Sequence, residues 1–169
     1  EYEIYDTPGI YGVSSFNDEE KVARDLILEA DTVLNVVNSL HLERDLFLTQ
    51  QLIDMGKKVS VILNFSDQVK KRNIKIDSEK LSELLGVEVI ETSAVNKNGF
   101  DKLDHIIKNA RTGKQQLDLH FMLQQVMEKD ISQAEALLIL EGDHNVADKY
   151  GVESGSHQER DNIYMERRK

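Results

Sequence analysis

Three short, continuous runs of aliphatic residues constrain the fold of this chain more than any other feature. They extend from Thr32 to Val37, from Val59 to Leu63 and from Val87 to Ile90. Continuous apolar runs, as opposed to alternating ones, are typical of parallel strands that are covered on both faces. We therefore expect a parallel sheet, and the segment from Tyr2 to Tyr5 is a candidate for a further strand.

Helical patterns with their own start and stop signals lie between these runs. Asn17 can cap a helix whose first turn is acidic and whose predicted buried stripe is Val22, Leu26 and Ala30. The alternation of strands and helices predicts an α/β fold with helices on both faces of the sheet. The later helical patterns end at or just before the glycines Gly56, Gly86 and Gly113.

The pattern changes beyond residue 113. Residues 114–150 have helical spacing throughout, whereas residues 151–169 are polar and end in a basic cluster. We therefore expect three parts: a partial α/β domain over residues 1–113, a small all-α domain over 114–150, and a polar tail over 151–169. The tail is predicted to be either frayed or the start of a further segment.

Composition excludes several classes of protein. The 169 residues contain no cysteine, which rules out disulfides and thiolate metal sites. A formal net charge of −10, from 31 acidic and 21 basic residues, argues against nonspecific nucleic-acid binding. No apolar run approaches the roughly 18 residues that span a bilayer, so the chain itself is expected to be soluble.

The first polar cluster with chemical potential is Asp6-Thr7-Pro8-Gly9, directly after the candidate strand. A carboxylate in this place can hold hydrated Mg²⁺, and the Gly9 amide can approach a terminal phosphate oxygen. Taken alone, the cluster is read as an ordinary Pro-Gly turn in preference to a phosphate site, by about three to one.

Two more polar clusters follow the second and third apolar runs. Asp67, at the end of Asn64-Phe65-Ser66-Asp67, could accept two parallel hydrogen bonds from a guanine edge, although an Asx turn with a helix cap is equally compatible. In Thr92-Ser93-Ala94, small residues let backbone N–H groups face a base oxygen. Since all the clusters follow parallel strands, they are predicted to converge at one edge of the sheet.

In this order, the motifs DTPG, NFSD and TSA are similar to the third, fourth and fifth guanine-nucleotide motifs of the translation-factor-related GTPases. The segment ADTVLNVVNSLHLERDLFLTQQLIDMGKKVSVILNFSD resembles the G domain of the ferrous iron transporter (FeoB) family. AEALLILEGD is similar to the helical regulatory domain that follows that G domain. The resemblance is close over residues 1 to about 113 and looser beyond.

The resemblance implies a P-loop GTPase-like (Ras-like) sheet followed by a small all-α domain, with GTP or GDP and Mg²⁺ as cofactors. In the family, GTP binding and hydrolysis regulate Fe²⁺ uptake, through attack of water on the γ-phosphate. The segment from Ile10 to about Glu20 would be switch II, which reads whether the γ-phosphate is present. The implied site residues are Asp6 (Mg²⁺ through water), Gly9 (amide to γ-phosphate), Asn64 (brace of the base loop), Asp67 (guanine N1 and N2), and Ser93 with the Ala94 amide (guanine O6).

The resemblance also implies partners and a location. The partners would be the guanine nucleotide and the membrane transport domain of a longer chain, at the cytoplasmic face of the cell membrane. A homo-oligomer is compatible with the sequence, and no nucleic-acid partner is expected.

The sequence departs from the family pattern at the phosphate end. No G-x-x-x-x-G-K-[ST] motif occurs in it, and only five residues precede Asp6. We therefore expect an N-terminal truncation that removes the phosphate-binding loop and switch I, so that this fragment alone does not hydrolyse GTP. Ile10 stands where many GTPases have a water-orienting glutamine, and Phe65 replaces the usual lysine of the base motif.

Two other functions stay open at this point. The chain could be a non-catalytic interaction fragment that keeps the fold of a G domain without its nucleotide. It could also derive from another translation-factor-related GTPase that acts on the ribosome or tRNA, although the acidic helical part argues against this. Glu141, Asp143, His144 and Asp148 are interpreted as a loop between helices in preference to a metal site.

Overall fold

The computed structural model describes residues 1–14, 16–127 and 130–169. The chain divides into two compact units. The first unit combines Glu1–Ala30 with Gln115–Lys169, and the second is Asp31–Lys114. The segment that contains the DTPG motif therefore groups with the C-terminal helices. The domain boundaries at residues 113 and 150 stay predictions.

Within the described residues, four strands, nine α-helices and one 3₁₀ turn are divided between the two units. The second unit contains β1 (Thr32–Asn38), α2 (Leu42–Asp54), β2 (Lys58–Asn64), α3 (Ser66–Lys71), α4 (Ser78–Leu85), β3 (Glu88–Glu91), a 3₁₀ turn (Phe100–Lys102), α5 (Leu103–Lys108) and β4 (Arg111–Thr112). The first unit contains α1 (Asp18–Glu29), α6 (Leu117–Met127), α7 (Gln133–Leu140), α8 (His144–Tyr150) and α9 (His157–Arg167).

The sheet of the second unit has β2 at its centre. β1 and β3 both pair with β2 in parallel, with Val36 opposite Ile62 and Ile62 opposite Ile90. The two-residue strand β4 adds an antiparallel pairing at the start of β2, so the sheet is mixed and not purely parallel. The three predicted strands are therefore confirmed, and the carboxyl ends of β2 and β3 lie side by side.

Apolar residues of the strands and helices form the core of the second unit. Ile62, Ile90 and Ile106 pack together, with Leu34 and Leu103 against them. β2 is the most buried strand because it has a neighbour on each side and helices over it, which explains its continuous apolar sequence. This packing fixes the strand ends from which the polar loops emerge.

The first unit is helical, and α7 lies at its centre. The residues from Ala134 to Ile139 of α7 are all buried, and the one charged side chain among them, Glu135, is paired with Lys149. α7 packs against α6 and α8. Within the described residues, no helix combines the length and the apolarity that crossing a bilayer requires.

Two ion pairs join the turn between α7 and α8 to other helices of the first unit. Arg24 of α1 lies 3.0 Å from Asp143, and both side chains are buried. Arg167 of α9 pairs with Glu141, again with both side chains buried. Asp143 also accepts a hydrogen bond from the Val146 amide and so caps α8.

The prediction of a strand from Tyr2 to Tyr5 is wrong. These residues are exposed and have no regular secondary structure. Tyrosine and isoleucine favour strands. A strand is stable, however, only where a neighbouring strand satisfies its backbone hydrogen-bonding groups. Among the described residues, no strand pairs with this segment.

Two further details differ from the sequence-based expectations. In α1 the buried residues are Ala23, Arg24 and Ile27, whereas Val22 is 51% exposed. The buried face is therefore rotated relative to the predicted stripe, and it includes Arg24, which pairs with Asp143. The polar tail is not frayed throughout either, since Ser156 and Glu159 form a capping box that begins α9.

Candidate nucleotide site

The loops that follow β2 and β3 are joined by backbone hydrogen bonds. The Thr92 amide donates to the Leu63 carbonyl at 2.8 Å, and the Ser66 amide donates to the Thr92 carbonyl at 3.0 Å. These bonds continue the strand pairing beyond the end of the sheet. The polar side chains of both loops are thereby placed at one edge, as predicted for ligand sites in α/β folds.

Asn64 connects the two loops through its side chain. Its Oδ1 accepts a hydrogen bond from the Ala94 amide at 3.1 Å and one from the Thr92 hydroxyl at 3.4 Å. One amide oxygen therefore holds the backbone of the second loop close to the first.

Asp67 is the charged group at this edge. The Ser93 hydroxyl donates to its Oδ1 at 2.9 Å, and Gln68 Nε2 donates to its Oδ2 at 3.1 Å. The hydrogen bond from Ser93 is the main reason why the pKa of Asp67 is lowered from its ordinary value. Each carboxylate oxygen has two lone pairs, so each retains capacity for one further donor.

Phe65 lies between Asn64 and α3 in an unusual backbone conformation. Its φ angle is 68°, in the left-handed region that is uncommon for a residue with a bulky side chain. The phenylalanine ring is 40% exposed. An exposed aromatic ring beside Asp67 could pack on the flat face of a base.

Asp6 and Gly9 belong to the first unit and are exposed. A Cβ atom placed on Gly9 would meet no atom within 4 Å, so the backbone there is open to approach. The Asp6 side chain makes no hydrogen bond or ion pair within the described ranges. The structure therefore brings together the four site residues of the second unit, whereas these two lie in a separate unit.

No preformed cluster of metal ligands accompanies these residues. Among the residues that the structure describes, no group of three or more His, Asp or Glu side chains could hold a metal ion. The acidic residues at the α7–α8 turn are engaged with arginines, and His144 is hydrogen-bonded to the Ser154 hydroxyl at 2.7 Å.

Sequence reasoning missed two side-chain contacts and one backbone conformation at this site. Thr92 donates a hydrogen bond to Asn64, and Gln68 donates one to Asp67. The backbone of Phe65 adopts the left-handed conformation. The position of Gln68 directly after Asp67 was the only signal for its contact. Nothing in the sequence indicated the conformation of Phe65.

The mixed sheet with helices on both faces, together with polar loops at the carboxyl ends of its parallel strands, defines an α/β P-loop GTPase-like protein. Residues 1–107 match the family model described as ferrous iron transport protein B. The chain therefore belongs to the ferrous iron transport protein B (FeoB) family.

Individual relatives agree with this assignment. The Fe(2+) transporter FeoB of Helicobacter pylori (strain ATCC 700392 / 26695) is 47% identical over 96 residues, which are 56% of this chain and 15% of the relative. The match thus spans about 15% of the length of that relative.

Solved structures match nearly the whole chain. The cytosolic domain of T. maritima FeoB in its apo form is 28% identical with a TM-score of 0.80, over 96% of this chain and 73% of that one. S. thermophilus NFeoB bound to GDP.AlF4⁻ and K⁺ is 33% identical with a TM-score of 0.74, over 93% of this chain and 66% of that one. The second match is to a nucleotide-bound protein.

Proposed function

We propose that this chain is part of the guanine-nucleotide switch of a ferrous iron transporter, in which GTP binding and hydrolysis regulate Fe²⁺ uptake. The observation that carries the proposal is the hydrogen-bonded pair of loops that presents Asn64, Asp67, Ser93 and Ala94 at one edge of the sheet. The nucleotide bound to S. thermophilus NFeoB supports it.

In this proposal Asp67 reads the base. Guanine offers adjacent N1 and N2 donors, and the unused lone pairs of the Asp67 carboxylate can accept both in parallel. Adenine presents no such pair of donors at that edge. The hydrogen bonds from Ser93 and Gln68 hold the carboxylate ionised and oriented, which lowers the cost of ordering it when the base binds.

The second base contact in this proposal is the Ala94 amide. It donates to Asn64 Oδ1 in the structure, so guanine O6 would share this N–H or replace Asn64. In this proposal the Asn64 bond holds the loop in the position from which the amide would meet the base. Ser93 would contribute to O6 recognition from the same loop.

Asp6 and Gly9 are proposed to serve the phosphate end. The residues fit Mg²⁺, because the exposed Asp6 carboxylate has no partner in the described ranges and Mg²⁺ typically takes one or two carboxylates, with waters and phosphate oxygens completing its shell. When bound, the ion would neutralise charge on the phosphates. The Gly9 amide would then face the γ-phosphate.

We also propose that the 169 residues alone bind nucleotide weakly and do not hydrolyse it. Their sequence lacks the glycine-rich motif whose amides, lysine and hydroxyl hold the phosphates and Mg²⁺ in P-loop enzymes. Ile10 has no group that could orient a water molecule.

The first unit offers a route from the nucleotide to the rest of the transporter. Val13, within the proposed switch II, is 2% exposed and lines a small crevice with Leu138 of α7. Farther along, Arg24 of α1 pairs with Asp143. We propose that a movement of switch II is passed through these contacts to the helical segment and from there to the membrane domain.

Nucleotide titration tests this function. Labelled GDP, GTP and ADP are titrated with Mg²⁺ into this chain and into a version extended upstream by the phosphate-binding loop of a relative. We expect the extended version to prefer guanine nucleotides and to hydrolyse GTP, and Asp67→Ala to remove that preference. Micromolar or tighter binding by the 169 residues would contradict the proposed weakness, and an unchanged preference in Asp67→Ala would contradict the base assignment.

A further inference from the structure

A cluster of exposed cations lies at the end of α3 and in the loop that follows it. Lys70, Lys71, Arg72 and Lys75 fall within six residues of a chain whose formal net charge is −10. All four are exposed. Positive charge is therefore concentrated in this short segment, which we call the basic patch.

The basic patch has little direct use within the described residues, although Lys71 lies near enough to Asp67 to contribute to the lowered pKa of that carboxyl. None of its four side chains forms a hydrogen bond or an ion pair within residues 1–14, 16–127 and 130–169. Elsewhere, exposed lysines such as Lys80 and Lys108 pair with carboxylates one helical turn away. Intramolecular ion pairing therefore does not account for the patch.

Stabilisation of the helix explains only part of the cluster. Lys70 and Lys71 lie in the last turn of α3, where cations interact favourably with the helix dipole. Arg72 caps the helix, and Lys75 lies beyond it, after Asn73 has turned the chain with a φ angle of 54°. These two cations gain little from the dipole, since its effect falls off within one turn.

An apolar side chain lies within the basic patch. Ile74 stands between Arg72 and Lys75 and is 45% exposed. Cations around an exposed aliphatic residue suit an anionic lipid surface, where the charges meet the headgroups and the aliphatic group enters the interface. A nucleic-acid backbone would engage the charges and leave Ile74 without a partner.

We propose that the basic patch docks the second unit onto an anionic lipid bilayer. The choice of a bilayer as the partner rests on the proposed function, which places the chain beside a membrane transport domain. The acidic remainder of the protein is repelled by the same surface, so the patch would also determine which side of the unit faces the membrane. Asp67 precedes the patch by three residues, which places the base site close to the docked face.

Vesicle sedimentation tests this proposal with the 169-residue chain and no nucleotide. Vesicles of phosphatidylcholine alone are compared with vesicles that contain phosphatidylserine. We expect binding only to the anionic vesicles, with a steep loss when NaCl is raised from 0.1 to 0.5 M, because salt screens the attraction. Each cation near an anionic surface raises the binding constant roughly fivefold, so neutralising the four cations of the patch should weaken binding by well over tenfold.

The decisive comparison uses two variants with the same change in net charge. The patch variant carries Lys70→Gln, Lys71→Gln, Arg72→Gln and Lys75→Gln. The control carries Lys58→Gln, Lys102→Gln, Lys108→Gln and Lys169→Gln, four exposed lysines scattered over the chain. We expect the control variant to bind anionic vesicles less than about threefold more weakly than the unchanged chain. Ile74→Ser should weaken this binding several-fold without a change of charge.

Several results would overturn the proposal. These are equal losses in the two fourfold variants, no binding to anionic vesicles, and binding to polyuridylate or polyglutamate through the same cations but not to vesicles. Circular dichroism checks the folding of each variant, and the pair Arg72→Gln with Lys75→Gln, both outside α3, replaces the patch variant if that fails to fold. No nucleotide is present, so a failure to bind vesicles leaves the guanine-binding proposal intact. A failure to bind guanine nucleotides likewise leaves the vesicle result unchanged.

Discussion

The hydroxyl of Ser93 lies 2.9 Å from Oδ1 of Asp67 and donates a hydrogen bond to it. This bond joins the loop after β3 to the first turn of α3, across 26 residues of sequence. It links the two motifs that the sequence had placed at the ends of neighbouring strands. It also orients the carboxylate on which the proposed recognition of guanine depends.

Removal of this hydrogen bond should raise the pKa of Asp67. Ser93 is the largest cause of the lowered pKa of that group, and the Gln68 amide makes a smaller contribution. We therefore expect Ser93→Ala to move the pKa of Asp67 back towards its ordinary value, and Gln68→Ala to move it less. Titration of the side-chain carboxyl by ¹³C NMR measures both. A larger shift in Gln68→Ala than in Ser93→Ala would contradict the geometry.

The buried pair of Arg24 and Asp143 should be important for the stability of the first unit. In Arg24→Met the Asp143 carboxylate stays buried and, among the described residues, keeps its hydrogen bond from the Val146 amide as its one remaining side-chain partner. Breaking a buried ion pair in this way costs about 3 kcal/mol or more. Urea denaturation of the single variants and of Arg24→Met with Asp143→Asn should give a coupling energy above about 1 kcal/mol.

An exposed ion pair provides the control for this cycle. Lys80 and Glu83 lie 3.2 Å apart, with side chains that are 61% and 71% exposed. Lys80→Met should change the free energy of unfolding by less than about 0.5 kcal/mol. Additive effects of the substitutions at Arg24 and Asp143 would show that the ion pair does not couple the two helices.

The strands and their polar loops could be predicted from sequence, because burial on both faces and short-range capping leave local signals. The three apolar runs became β1, β2 and β3, and Asn17 caps α1 as expected. The pair of Arg24 and Asp143 could not be predicted, since 119 residues separate its members. Local sequence patterns also gave a wrong prediction at Tyr2 to Tyr5, because a strand there depends on pairing with a neighbouring strand.

The loops after β2 and β3 also combine features that follow from sequence with features that do not. The position of Asn64, Asp67 and Ser93 after their strands follows from the order of the elements. Their mutual hydrogen bonds depend on the exact register of β2 with β3, in which Leu63 is opposite Glu91. A shift of one residue would turn these side chains to the other face, and sequence alone does not fix such a register.

Acid should weaken the first unit through Glu135. Burial alone would raise the pKa of this carboxyl, but hydrogen bonds from Lys149, Tyr150 and Ser132 outweigh that effect and lower its pKa to about 2. The folded state therefore gains stability from ionised Glu135 above the ordinary pKa of a glutamate, and this gain is lost as the pH falls towards 2.

Comparison with Glu135→Gln isolates this contribution from those of other carboxylates. At pH 7 we expect the variant to be less stable by about 2–3 kcal/mol, the size that linkage gives for such a shift in pKa. Urea denaturation from pH 7 to pH 3 should show the difference between the two proteins shrinking as the pH falls. A difference that stays constant over this range would mean that Glu135 does not titrate with a lowered pKa.

An NMR titration with nucleosides tests most directly whether the loops after β2 and β3 recognise guanine. Guanosine and adenosine carry no phosphate, so the outcome does not depend on a phosphate-binding loop. We expect guanosine at millimolar concentration to shift the amide signals of Ala94 and of residues around Asp67, adenosine to leave them unchanged, and Asp67→Ala to abolish the response. Equal shifts with both nucleosides, or none with guanosine, would contradict the account.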